Sequence, residues 1–241
     1  MKICIYGAGA IGGYLGVQLA RAGVDVSLVA RGAHLAAMRA NGLKLLIGDE
    51  ERVVHPRCTD NPSELGPQDF VIICLKAHSI TGTIDAMRPL LSENTRIVTA
   101  VNGIPYWYFY KHGGTYEGST LESIDPGARQ WRELGPARAI GCIVYPATEL
   151  VAPGVIQHVY GDRFPIGEPS GETTEDVTRL SALFSAAGMQ APVLDRIRDE
   201  IWLKLWGNVC LNPISALVVK DVVRTEGNTA VGLFTERDVV R

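Results

Sequence analysis

Apolar residues fall along the first half of this chain in short blocks that alternate with amphipathic stretches. Residues 2–6 read as a buried strand, 10–22 as a helix closed by Gly23, and 24–29 as a second strand. Residues 33–41 predict a short helix ended by Gly42. Segments 43–47 and 52–55 predict a hairpin around Gly48-Asp49-Glu50. The run 70–75 is continuously apolar, as in a strand covered on both faces. Residues 80–91 read as a helix and 96–100 as a further strand. This βαβ alternation predicts an α/β chain with an N-terminal Rossmann-like, doubly wound parallel sheet.

The second half is less regular. Residues 106–133, rich in glycine and aromatics, read as a helix-and-loop insertion. A strand is expected over 139–145, and a hairpin from 155–159 and 163–166. Beyond 170 the pattern becomes helical, with amphipathic stretches at 177–187 and 197–211. The expected division is a dinucleotide-binding domain over 1–170 and a mainly helical domain over 171–241. Pro213 predicts a bend in the last helix, since a mid-helix proline removes a hydrogen bond and crowds the preceding turn. No internal repeat or low-complexity segment is visible.

Composition narrows the function. Hydrophobic residues make up 46% of the 241, and the formal net charge is −3. That balance argues against a nucleic-acid partner, which calls for a basic excess. No apolar run is long enough to cross a bilayer, and residues 1–7 lack the pattern of a signal peptide, so a cytoplasmic protein is expected. Cys4, Cys58, Cys74, Cys142 and Cys210 show neither CxxC spacing nor nearby histidines. They read as small core residues, and no metal site is expected.

Gly7-Ala8-Gly9-Ala10-Ile11-Gly12 is a GxGxxG that follows a predicted strand and opens a predicted helix. In that context Gly7 permits the tight turn, Gly9 lets a pyrophosphate approach the backbone, and Gly12 lets the helix pack close to the strand. The helix N-terminus offers free N–H groups and a partial positive charge to phosphate. After the second strand comes Val29-Ala30-Arg31-Gly32, with no acid for the ribose hydroxyls of NAD. Arg31 is suited to a 2′-phosphate, which points to NADP(H); the alternative is a solvated surface arginine. Lys76 and Asn102 follow two further strands, where doubly wound sheets bind ligands. Lys76 is a candidate for the adenosine phosphate and Asn102 for the nicotinamide side and substrate, or both are ordinary loop residues.

In 201–213 an apolar helical pattern is interrupted by Lys204, Asn208 and Asn212, spaced i, i+4, i+8 and so on one face. Such groups are costly to bury without partners, and a polar ligand in a cleft would supply them. The other reading is the solvent face of an amphipathic helix. A partly desolvated ammonium has a lowered pKa and can donate a proton near neutrality. It would protonate a carbonyl oxygen opposite a hydride donor, while the asparagines hold the carboxylate and hydroxyl of a 2-oxo acid.

The run GAGAIGGYLG, the VARG after it, Leu75-Lys76, Asn102-Gly103 and KLWGNVCLNPISAL together resemble the 2-dehydropantoate 2-reductase (ketopantoate reductase) family over most of residues 1–217. The resemblance implies NADPH-dependent reduction of ketopantoate to (R)-pantoate, on the route to pantothenate and coenzyme A. It implies Lys204 as catalytic acid, Asn208 and Asn212 as substrate contacts, and Asn102 as shared between cofactor and substrate. It also implies that Ala147 touches the cofactor through its backbone. The motifs give out after Leu217, where the family brings a serine and a glutamate to the site. The helical domain is thus expected to be truncated relative to the family. Exposed apolar surface on such a domain favours oligomers, a homodimer among them, or aggregation. The competing functions are an NADPH-dependent reductase of another 2-oxo acid, a redox enzyme acting on an amino or sugar acid, and a non-catalytic NADPH-binding protein.

Overall fold

The computed structural model describes residues 1–218. Its strands are β1 (Lys2–Tyr6), β2 (Asp25–Val29), β3 (Leu43–Ile47), β4 (Glu50–Val54), β5 (Arg57–Thr59), β6 (Phe70–Ile73), β7 (Arg96–Thr99), β8 (Ala139–Cys142), β9 (Ala147–Ala152), β10 (Val155–Tyr160) and β11 (Ile166–Gly167). The helices are α1 (Ala10–Arg21), α2 (Gly32–Asn41), α3 (Ala77–Ile80), α4 (Ile84–Met87), α5 (Arg129–Glu133), α6 (Glu175–Ala186) and α7 (Ile197–Val218).

Seven strands form one sheet in the order β11-β8-β7-β6-β1-β2-β5, parallel throughout except for the edge strand β11. The chain winds outward from β1 in one direction through β2 and β5, then returns to β6 on its other side. The switch point between β1 and β6 is where a doubly wound sheet opens a crevice at its carboxyl edge. Alternation along the central strands sends side chains into two cores. Ile3, Ile5, Ile72 and Val98 pack on one face with α1 and the α6 residues Val177, Leu180 and Phe184. Cys4, Val71, Ile73 and Ile97 pack on the other with Ile84, Met87, Trp107 and the α7 residues Ile197 and Ile201. With both faces covered, the strands read as continuous apolar runs. Burial pushes the Cys4 and Cys74 thiols up to about 12, as expected of core thiols rather than nucleophiles.

A second sheet, order β4-β3-β10-β9, lies outside the first. The expected β3–β4 hairpin is present. The hairpin expected between 155–159 and 163–166 is not. β10 instead pairs antiparallel with β9 across Pro153-Gly154 and parallel with β3, while Ile166 joins Cys142 of β8. Gly154 has φ +78°, so Pro-Gly supplied the turn signal. The helix expected over 80–91 is broken into α3, α4 and two 3₁₀ turns. Gly82 and Pro89 lower helix propensity there, and the Thr83 hydroxyl donates to the Ile80 carbonyl at 2.8 Å. In 106–133 helix is confined to one 3₁₀ turn, Pro126–Ala128, and α5 at the end. α7 continues through Pro213 to Val218, so the proline does not end it.

Candidate active site

The turn from β1 into α1 is built as the glycines require. Gly7 has φ +104°, which side-chain-bearing residues rarely adopt. The Gly7 and Ala8 amides both donate to the Val29 carbonyl, at 3.1 and 2.9 Å, which fixes the loop against β2. A Cβ at Gly12 would lie 2.2 Å from the Gly7 carbonyl oxygen, whereas a Cβ at Gly9 would meet nothing within 4 Å. The helix therefore sits hard on the strand, and open space lies in front of the loop. α1 has neither a side-chain cap nor an acid in its first turn, which leaves its first amides for an anionic ligand. His34 of α2 braces this loop. Its Nδ1 accepts from the Gly154 amide at 2.9 Å, so Nε2 carries the proton it donates to the Ala8 carbonyl at 2.7 Å.

In front of the loop opens a cavity of about 1040 Å³. Gly7, Ala8, Gly9, Ala10 and Ile11 line it at the switch point, and Arg31 lines it beyond β2. Asp60 lies at that same end, 3.8 Å from Arg39. Lys76 and Asn102 project from the carboxyl ends of β6 and β7, and Lys204, Asn208 and Asn212 line the cavity from α7. Gly12 lies behind the loop rather than in the wall. Ala147 is buried in β9; its neighbours Pro146 and Thr148 are the lining residues. The Thr148 hydroxyl oxygen is buried with no hydrogen-bond partner among the described residues.

α7 is held at its N-terminal end by Ile197 and Ile201 in the core and by Arg198. That guanidinium donates to the carbonyls of Tyr108, Pro169 and Tyr110 at 2.8, 2.7 and 2.6 Å. One turn on, Lys204 and Asn208 are half-buried, while Asn212 is exposed. Lys204 Nζ stands 4.6 Å from the centre of the Tyr145 ring. Burial pulls its pKa down from the usual lysine range to about 8. The Tyr145 hydroxyl donates to Glu200 Oε1 at 2.8 Å, and Arg163 donates to the same oxygen at 2.6 Å. Desolvation, reinforced by Glu200, pushes Tyr145 up to about 12.

The structure thus brings the glycine loop, Arg31, Lys76 and Asn102 into one cavity with the α7 stripe. Sequence reasoning missed His34, Tyr145, Arg163 and Glu200. Only Glu200 carried a local signal, an acid four residues before Lys204. His34 reaches the loop from α2, and Tyr145 and Arg163 reach the site from the segments that β8 and β11, and β9 and β10, bring together. Among the described residues there is no cluster of three metal-ligating side chains.

A doubly wound sheet with a glycine loop at its switch point, facing a lysine across a deep cavity, defines a dinucleotide-binding oxidoreductase of the Rossmann type. The chain belongs to the ketopantoate reductase PanE/ApbA family, whose model matches residues 3–171. It is 53% identical to a 2-dehydropantoate 2-reductase of Mesorhizobium japonicum, over 96% of this chain and 72% of that protein. That coverage carries the likeness beyond Leu217, where the motifs give out. It is also 29% identical to a 2-dehydropantoate 2-reductase of Pyrococcus abyssi, over 98% of this chain and 71% of that one. Among solved structures it resembles a candidate ketopantoate reductase from Ralstonia solanacearum, with TM-score 0.86, 39% identity, and 90% and 67% of the two chains covered. A 2-dehydropantoate 2-reductase from Porphyromonas gingivalis matches with TM-score 0.75, 30% identity, and 94% and 76% covered.

Proposed function

We propose that this protein reduces 2-dehydropantoate to (R)-pantoate with NADPH. The observation that carries the reading is that Lys204, Asn208 and the glycine loop, far apart in sequence, face one cavity. The residues fit a dinucleotide: Gly12 lets α1 close onto the Gly7 carbonyl behind the loop, space is open at Gly9, and an arginine stands where an acid would select NAD. The α1 amides and Gly9 would hold the pyrophosphate, Arg31 the 2′-phosphate, Lys76 the adenosine phosphate and Asn102 the nicotinamide side; Ala147 would contribute its backbone. NADPH, when bound, supplies the hydride for the 2-oxo carbon. Lys204 Nζ gives its proton to the oxygen of that carbonyl as it becomes a hydroxyl. Its partial desolvation makes that transfer easier than from an ordinary lysine. Asn208, Asn212 and Asn102 would orient the carboxylate and hydroxyl, which fixes the face of the carbonyl presented.

The test is to follow NADPH oxidation with 2-dehydropantoate and with other branched 2-oxo acids. Turnover best with 2-dehydropantoate supports the reading. Turnover only with another 2-oxo acid would replace the substrate, and NADPH binding with no turnover on any would favour a non-catalytic binding protein.

Two further outcomes belong to this reading. Arg31→Ala removes the charged fork for the 2′-phosphate. It should raise the KM for NADPH about ten- to a hundredfold, as expected for losing charge-assisted hydrogen bonds, and leave the KM for NADH nearly unchanged. Equal effects on both cofactors would remove Arg31 from the 2′-phosphate site. A cytoplasmic homodimer is part of the same proposal. Trp202, Leu203, Trp206 and Val209 stand exposed on α7, and light scattering of the full chain should give twice the 26.1 kDa chain mass. A monomer at micromolar concentration would reject it. Among the described residues, no helix is long and apolar enough to cross a membrane.

A further inference from the structure

Glu200 and Lys204 lie four residues apart on α7, the spacing at which a glutamate and a lysine normally pair. Here they do not. Among the described residues Lys204 Nζ has no ion pair or hydrogen bond; its recorded contact is the Tyr145 ring at 4.6 Å. Glu200 is turned to the Tyr145 hydroxyl at 2.8 Å and to Arg163 at 2.6 Å, both on the same oxygen. The Arg163 guanidinium also lies 5.1 Å from the centre of the Tyr145 ring. Arginine 163 comes from the segment between β10 and β11, so tertiary structure sets this partner against the local one.

We propose that Arg163 is a positioning residue that diverts Glu200 from Lys204, locking the carboxylate against the Tyr145 hydroxyl and leaving the lysine ammonium beside the Tyr145 ring, at the cavity, without the carboxylate as a partner. This rests on the reading of Lys204 as proton donor. Among the described residues, the charged and titratable groups around Lys204 are Glu200 on its own helix, Tyr145 before β9, Arg163 before β11, and Cys74 and Lys76 after β6, while Tyr6, Arg31, His34 and Asp60 line the same cavity. Glu200 and Asp60 are the carboxylic acids among them, and Glu200 is the one a helical turn from Lys204. An unpaired carboxylate within about 4–6 Å would stabilise the ammonium and make it a weaker acid. The Arg163–Glu200 pair removes that influence, while the Tyr145 ring lies beside the ammonium at 4.6 Å. The Tyr145 ring stays near the ammonium because its hydroxyl is held at the far end.

The test is the titration of Lys204 in the full chain without ligand, read by NMR of lysine labelled with ¹³C at Cε and assigned by the signal missing from Lys204→Met. The wild-type midpoint should lie near 8. Arg163→Gln should raise it by roughly one unit or more, and Arg163→Gln with Glu200→Gln should bring it back. Arg163→Lys, which keeps the cation, should hold it low. An unchanged midpoint in Arg163→Gln, or a raised one that persists in the double variant, overturns the proposal. If Arg163→Gln does not fold, Arg163→Met takes its place, which keeps the length of the stem and removes the charge: the midpoint should rise as in Arg163→Gln, and an unchanged midpoint overturns the proposal. These readouts need no turnover. A Lys204 signal that responds as described in a protein inactive on 2-dehydropantoate would leave this inference standing and remove the assigned reaction.

Discussion

Replacing Lys204 with methionine is expected to lower kcat on 2-dehydropantoate by about 10²–10⁴-fold, the usual contribution of a positioned general acid. The affinity for NADPH should barely change, because the glycine loop and Arg31 lie on the other wall of the cavity. Stability should hold or rise slightly: the ammonium is half-buried without an ionic partner among the described residues, and methionine keeps the length of the stem. The wild-type pH profile belongs to the same prediction. A general acid must carry its proton in order to give it. Lys204, brought down to about 8 by burial, is protonated below that value and empties above it. The reduction should therefore run on a plateau at neutral pH and fall as pH rises through about 8. Steady-state kinetics from pH 6 to 10 measures this; a profile flat past pH 10, or a lysine variant with undiminished kcat, would assign the proton to another group.

The second large effect is expected in the glycine loop, and it separates two glycines that look alike in sequence. Gly12→Ala places a methyl group 2.2 Å from the Gly7 carbonyl oxygen and 3.0 Å from Ile5 Cγ2, neither of which is a flexible end. α1 must move off β1, which costs about 1–3 kcal/mol or more as an overpacked contact. For a chain of this size that is a drop in Tm of roughly 2–4 °C per kcal/mol. NADPH affinity should fall with it, because the amides at the helix start move too. Gly9→Ala introduces no contact within 4 Å, and Gly9 has φ −73°, which alanine adopts freely. Its Tm should stay within error, while NADPH binding weakens because the methyl group takes space a pyrophosphate needs. Thermal melts with fluorescence titration of NADPH distinguish the two. Loss of Tm in Gly9→Ala, or unaltered binding in both, would place the pyrophosphate elsewhere.

Much of this was legible in the chain. The strands β1, β2, β6 and β7 announce themselves because burial on both faces demands mostly apolar residues, with Ser27 in β2 and Thr99 in β7 the buried polar exceptions. The phosphate loop is visible because its geometry admits little except glycine. The stripe Lys204, Asn208, Asn212 is visible because helical periodicity is local. What failed to show was pairing. The expected hairpin joined 155–159 to 163–166 on proximity alone, whereas β10 pairs with β9 and with the distant β3. Nothing in residues 155–160 names those partners.

The sequence by itself determined the doubly wound sheet, the phosphate loop and the type of chemistry. Each of these rests on short-range rules: side-chain periodicity, glycine's freedom and the charge of a lone lysine. Tertiary structure decided what that lysine faces. Tyr145 and Arg163 reach the site through long-range strand pairing, His34 on α2 is oriented by the distant Gly154 amide, and Glu200 is turned from its neighbour on α7 by an arginine from another segment. The proton affinity of Lys204 depends on burial and on charges within a few ångströms, and those are set by which segments fold together.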